Sequence, residues 1–184
     1  MSDSPADIYR RLLILRCQTG DEAALSELIA LHSPGLRVFI SKLLVNSSAV
    51  DDVLQDTWFD VFRKINRLQS PDSFVAWLYR IARDNVFRFL RRKISVPVDE
   101  SVIGDLPADV DEFFADEAEQ VRLALDELSI EHREVLVLRF VEDMTYEQIA
   151  EVTGEPIGTV RSRLYYAKQA LRNRLTSTQK ETRS

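Results

Sequence analysis

The side chains in this chain that could do chemistry are arginines interleaved with aromatics, and they gather in two places. The first is Trp77, Arg80, Arg83, Asp84, Asn85, Phe87, Arg88, Arg91 and Arg92. The second opens at Pro156 and holds Thr159, Arg161, Ser162, Arg163, Tyr165, Tyr166 and Lys168. Guanidinium and ammonium groups hold phosphates, rings stack on unpaired bases, and arginine or hydroxyl side chains read base edges in a duplex groove. That is binding chemistry. Bond-making chemistry has little to draw on. Cys17 is the single cysteine, His32 and His132 are the two histidines, and no glycine-rich phosphate loop occurs. No catalytic set, metal site or cofactor is expected, so an enzyme acting on nucleic acid is disfavoured.

The net charge of −6 argues against nucleic acid only until the charge is located. Residues 96–119 carry nine acids (Asp99, Glu100, Asp105, Asp109, Asp111, Glu112, Asp116, Glu117 and Glu119) and no lysine or arginine. With those set aside from the chain's 30 acids, its 24 lysines and arginines are in slight excess. Screening limits a charge's reach to about 8–10 Å, so local balance decides phosphate contact. The stretches 63–93 and 161–183 are both strongly basic.

Positioning those groups falls to helices. Only five glycines and six prolines occur, and apolar residues recur three and four apart, which predicts an all-α chain. Helices are expected over about 5–19, with Ile8, Leu12 and Leu15 as the apolar stripe, then 21–32 capped by Asp21, 35–45, 47–66 and 73–92. The pattern fades among Pro97, Gly104, Pro107 and the acids, then returns over 116–128, 130–141, 146–152 and 157–175. Two small helical domains are expected, 5–94 and 118–176, joined by a flexible acidic linker over 95–117. No apolar run approaches the roughly 20 residues that span a bilayer, and residues 1–5 show no secretory signal. Membrane insertion is not expected; the cytoplasm is the expected compartment.

In the second domain, Thr145 and Gln148 form a capping box, Gly154 supplies a left-handed turn, and Pro156 opens the next helix. Ile149, small Ala150, Val160 and Leu164 face inward where two short helices cross. The pattern predicts a helix-turn-helix whose second helix presents Thr159, Arg161, Ser162, Arg163, Tyr165 and Tyr166 outward, with Lys168, Arg172 and Arg174 extending the positive face.

In the first domain, a helical wheel at 100° per residue puts Phe74, Leu78, Ile81, Ala82, Val86 and Phe89 on a buried arc. Arg80, Asp84, Phe87, Arg88 and Arg91 share a second arc with Trp77, a combination suited to single-stranded DNA. Trp77 and Phe87 are also compatible with packing on a neighbouring helix. The preceding helix, around residues 50–62, is acidic and over-rich in large apolar groups. Val53, Leu54, Phe59 and Phe62 cannot all share one stripe with Trp58, so either a partner-protein surface or ordinary packing explains the surplus.

Asp51-Asp52-Val53-Leu54-Gln55-Asp56-Thr57-Trp58-Phe59, then Phe74-Val75-Ala76-Trp77-Leu78-Tyr79-Arg80-Ile81-Ala82-Arg83 and Leu90-Arg91-Arg92-Lys93, resemble region two of the extracytoplasmic-function (ECF) sigma factors. Gly158-Thr159-Val160-Arg161-Ser162-Arg163-Leu164, with Ala167 and Leu171-Arg172, resembles their region four. The resemblance covers about 21–93 and 120–175. It implies a factor that binds RNA polymerase core, directs it to promoters and promotes melting, with no catalysis of its own. It implies docking on the clamp helices of the largest polymerase subunit through Asp52, Leu54, Gln55, Asp56, Phe59 and Phe62, and a further contact with the polymerase flap. It assigns minus-ten DNA to Trp77, Arg80, Arg83, Asp84, Asn85, Arg88, Arg91 and Arg92. Minus-thirty-five DNA goes to Pro156, Thr159, Arg161, Ser162, Arg163, Tyr165, Tyr166 and Lys168. The connector is expected to thread toward the RNA exit path, and an anti-sigma protein is a candidate partner, with the first helix and the connector as candidate surfaces for it.

The chain departs from the family pattern at Asp84, where many relatives have Asn, and at Tyr166, where a basic residue is common. The loop 66–73 is also short. These departures bear on promoter preference. The alternative, a helix-turn-helix regulator that is not a polymerase subunit, leaves the 51–62 helix and the arginine face of 80–91 without a purpose.

Overall fold

A computed structural model describes residues 5–45, 47–95 and 115–181. Among them the chain is all-α: α1 (Pro5–Gln18), α2 (Glu22–Leu44), α3 (Val50–Lys64), α4 (Phe74–Ser95), α5 (Ala115–Asp126), α6 (Ile130–Phe140), α7 (Tyr146–Thr153) and α8 (Ile157–Glu181). Single 3-10 turns, Ile65–Arg67 and Pro71–Ser73, link α3 to α4. The acidic linker expected over 95–117 falls largely outside the described residues.

Local chemistry sets several boundaries. Asp21 caps α2 by accepting from the Ala24 amide at 3.1 Å, and Ser70 accepts from the Asp72 amide at 3.3 Å at the entry to α4. The capping box is present in both directions: Thr145 Oγ1 accepts from the Gln148 amide, and Gln148 Oε1 accepts from the Thr145 amide. Gly154 ends α7 with φ 72°, where a side chain would be strained.

Two expectations need correction. The sequence predicts a break near Pro34, but α2 runs unbroken through it. A mid-helix proline costs about 3 kcal/mol through a lost hydrogen bond and a ring clash. Here both flanks are pinned in the core by Leu28, Leu36, Phe39 and Ile40, and Ser33 Oγ accepts from Trp58 Nε1 at 3.0 Å. Gly35 lets other groups approach: a Cβ there would meet Tyr79 Oη at 2.8 Å and Glu142 Oε2 at 3.1 Å. The second correction concerns α1. Ile8, Leu12 and Leu15 are half exposed, and the buried face is Leu13, Ile14 and Cys17. The helix is apolar on two sides, and periodicity alone does not say which side meets α2.

α2 is long and apolar enough by composition to cross a membrane, yet its apolar face is the centre of the first block. One contiguous apolar cluster runs from Leu13, Leu28, Phe39, Val61, Phe74 and Leu78 into Leu138, Met144, Ile149 and Val160 of the second block. The blocks meet where α2 and α4 pack on α6 and α7. Polar anchors cross that seam. Arg133, held within its own block by the Leu128 carbonyl at 3.0 Å, donates across the seam to the Lys42 carbonyl at 3.0 Å, Arg83 Nε donates to Glu134 Oε1 at 2.6 Å, and Tyr79 Oη to Glu142 Oε2.

Candidate polymerase and nucleic-acid surfaces

α3 has an inner and an outer face. Val53, Leu54, Thr57, Trp58 and Val61 are buried, whereas Phe59 and Phe62 are 58% and 60% exposed beside exposed Asp52, Gln55 and Asp56. The apolar surplus read from the sequence is therefore divided: Leu54 belongs to the core, and the two phenylalanines face out. Beside Phe62, a cavity of about 330 Å³ is lined by Cys17, Asp21, Leu25 and Arg63.

α4 buries Phe74, Leu78, Ile81, Ala82 and Val86 as the wheel predicts, with Phe89 partly buried. Arg80, Asp84, Arg88, Arg91 and Arg92 are exposed, and Trp77 is partly buried against the core with its ring 6.1 Å from that of Phe74. Asn85, Arg88 and Arg83, all candidate DNA residues on this helix, are engaged within the fold. Asn85 is buried and donates to Thr57 Oγ1 at 3.3 Å. Arg88 lies 3.7 Å from Asp60; burial opposes ionisation there, yet Lys64, Asn85 and Arg88 together hold the Asp60 carboxyl below its usual range. Arg83 stacks on Phe87, 4.6 Å from the ring centroid, and is bound to Glu134, which is fully buried. Burial raises the Glu134 carboxyl above the usual range against the pull of Arg83.

The helix-turn-helix is formed by α7 and α8. Ile149, Val160, Leu164 and Ala167 are buried between them, and Ala150 is packed at their crossing. Pro156, Thr159, Arg161, Ser162, Tyr165, Tyr166 and Lys168 are exposed, the two tyrosine rings edge to face at 5.4 Å. Arg163 is the exception: half-buried, it pairs with Glu155 at 2.7 Å, and both charges act on Glu134. Two features went unread in the sequence. Tyr146, first residue of α7, has the Arg139 and Arg161 guanidinium carbons 6.0 and 5.7 Å from its ring centroid. An open apolar groove of about 520 Å³ lies among α5, α6 and α8, where Val121, Leu125, Phe140, Val141, Leu171 and Leu175 converge. Tyr146 directly follows the predicted cap, so its place was legible; the groove needs three helices far apart in the chain.

Residues 28–94 match the family described as Sigma-70 region 2, and residues 118–171 match Sigma-70, region 4. The ECF RNA polymerase sigma factor SigE of Mycolicibacterium smegmatis is 32% identical over 179 residues, covering 89% of this chain and 67% of that protein. The RNA polymerase sigma factor SigV of Bacillus subtilis is 32% identical over 126 residues, covering 68% and 75%. This chain belongs to the ECF sigma factors. Its work is promoter-specific initiation of transcription as a partner of RNA polymerase core. Among solved structures, CnrH in complex with the cytosolic domain of CnrY superposes with a TM-score of 0.70 at 26% identity, covering 91% of this sigma factor and 97% of that chain. The sigma factor RpoE in complex with the anti-sigma factor NepR, from Bartonella quintana, gives 0.69 at 25% identity, covering 82% and 96%.

Proposed function

We propose a division of labour among the surfaces of this sigma factor. The outer face of α3, through Asp52, Gln55, Asp56, Phe59 and Phe62, docks on the clamp helices of the polymerase largest subunit. Leu54 supports that face from beneath. The exposed side of α4, with Trp77, Arg80, Asp84, Arg88, Arg91 and Arg92, captures the minus-ten strand, and α8 reads the minus-thirty-five duplex. Arg83 joins the minus-ten contact only where its pairing with Glu134 opens, and Asn85 acts from within the helix packing. The groove among α5, α6 and α8 accepts the polymerase flap. An anti-sigma protein is a further regulator, a reading supported by the complex of the similar sigma factor RpoE with the anti-sigma factor NepR. The factor works in the cytoplasm and lends specificity to the polymerase active site without a catalytic step of its own.

The observation that carries this reading is the exposure of Phe59 and Phe62 beside Asp52, Gln55 and Asp56. Two large rings in water on an otherwise well-packed helix have no role in a regulator that touches only DNA. Polymerase binding by the Phe59→Ala protein tests it. The variant is expected to lose about 2 kcal/mol or more of core affinity, the range of a buried aromatic anchor, and to keep its melting temperature. Unchanged core affinity would refute the docking assignment. For melting, Trp77→Ala is expected to impair transcription from duplex promoters more than from pre-melted ones; equal loss on both templates would remove Trp77 from that role.

A further inference from the structure

Arg161, one of the residues of α8 proposed to read the upstream duplex, stands on the exposed face of that helix and makes no hydrogen bond or ion pair among the described residues. A free arginine samples many rotamers, and fixing one costs up to about 2 kcal/mol of side-chain entropy. A base contact requires one orientation. Something on the protein must therefore restrict this guanidinium before DNA arrives, or the contact is weakened by the ordering.

The restricting group is on the neighbouring helix. The Tyr146 ring centroid lies 5.7 Å from the Arg161 guanidinium carbon, within the range in which a ring face attracts a cation. Tyr146 is itself well held. It follows the Thr145 cap at the first position of α7, where the capping box fixes the backbone. Its ring has Arg139 as a second cationic neighbour, 6.0 Å from the centroid. Arg139 is in turn anchored, donating to the Met144 carbonyl at 3.0 Å. Glu147, one residue on, adds attraction from the acidic side, interacting electrostatically with Arg161. A line of support thus runs from α6 through Arg139 and Tyr146 to Arg161 on α8. We infer that Tyr146 is a positioning residue that presets Arg161 for reading the upstream promoter element. The role lies in the aromatic ring rather than the hydroxyl, and the residue lies outside the recognition helix. It rests on the assignment of Arg161 to duplex reading made above.

The test is transcription by the polymerase core loaded with the full-length factor, on a promoter library randomised over the upstream element. Arg161→Ala alone decides the underlying assignment: it is expected to flatten preference at one base pair by about 5- to 150-fold. An unchanged profile would remove Arg161 from base reading and this inference with it. If Arg161→Ala flattens the profile, Tyr146→Leu is expected to flatten the same position by about 2- to 5-fold, and Tyr146→Phe to leave it at wild type. The double variant Tyr146→Leu with Arg161→Ala is expected to match Arg161→Ala alone, because the two act as one unit. Three results would overturn the positioning role: a sequence-independent loss from Tyr146→Leu, an equal loss from Tyr146→Phe, or independent effects in the double variant. Tyr146→Gln, which also lacks the ring, takes the place of Leu if that variant melts early.

Discussion

The two surfaces proposed to meet nucleic acid are both arginine-rich helices, yet one is shared with the fold and the opening stretch of the other is almost free of it. On α4, Arg83 neutralises a fully buried glutamate, Asn85 ties the helix to Thr57, and Tyr79 reaches Glu142. At the start of α8, Thr159, Arg161, Ser162, Tyr165 and Tyr166 are exposed, and Arg163 pairs with Glu155 eight residues away; only farther along the helix does Arg174 reach a distant partner, Glu127. The first surface is held by partners 28 to 63 residues distant, whereas the opening stretch of α8 is held by Glu155 and Tyr146 of the same helix-turn-helix. A basic residue in a DNA-facing run is therefore not automatically available to DNA. Its availability depends on which carboxylates the fold brings to it.

The largest expected effect follows from that difference. Arg83→Ala leaves the Glu134 carboxylate buried without its cation, and breaking a buried pair costs about 3–5 kcal/mol. Arg161→Ala removes an exposed side chain set against the Tyr146 ring and is expected to change stability by no more than about 1 kcal/mol. Chemical denaturation of the two variants checks the contrast. Replacing both partners, Arg83→Met with Glu134→Leu, is expected to recover most of the loss, since a well-packed apolar pair can substitute for a buried ionic one. Equal stability of Arg83→Ala and Arg161→Ala would erase the distinction between the surfaces.

Much of this arrangement was readable from the chain alone, and what was missed has a common cause. The all-α class, the boundaries of α3, α4 and α7, the cap at Thr145 and the turn at Gly154 follow from periodicity and local hydrogen bonding. The exposed face of α8 was legible because its neighbours in space are its neighbours in sequence. The partners of Arg83 and Asn85 were not, because the pairing depends on how α4 meets α6 and α3. The continuity of α2 through Pro34 was hidden likewise: the local cost of the proline is visible in sequence, and the long-range packing that offsets it is not. α1 shows the same limit, with two apolar sides and only tertiary contact choosing between Leu13 and Leu12.

Acid is expected to act on the first block through His32. Its ring lies edge-on to Phe74 at 5.4 Å, Nε2 is buried without a hydrogen-bond partner, and burial, with the nearby Arg10 charge, depresses its pKa from 6.5 to about 4. Above pH 6.5 the imidazole is neutral whether folded or not. Between 6.5 and 4 the unfolded chain takes up a proton that the folded one refuses, so stability falls by about 1–3 kcal/mol over that window. Glu134 works in the opposite sense, its raised pKa favouring proton uptake by the folded form. Comparing the wild type with His32→Leu isolates the histidine: the variant is expected to lose the downward slope between pH 6.5 and 4. An identical slope in both would place the acid sensitivity elsewhere.

The smallest effect tests whether the second block really rests on local devices. Thr145 Oγ1 accepts from the Gln148 amide at 3.2 Å, and its own amide donates to Gln148 Oε1 at 2.9 Å. Thr145→Ala removes the hydroxyl and leaves the reciprocal bond in place, so the loss is expected to be about 1 kcal/mol, with Thr145→Ser restoring it. Because the cap serves only the first turn of α7, amide hydrogen exchange is expected to quicken there and to remain unchanged in α4. A loss as large as that of Arg83→Ala, or exchange spreading into α4, would mean that the packing of α7 on α4 at the seam depends on this cap. The turn that supports the recognition helix would then be as much a part of the long-range scaffold as α4 is.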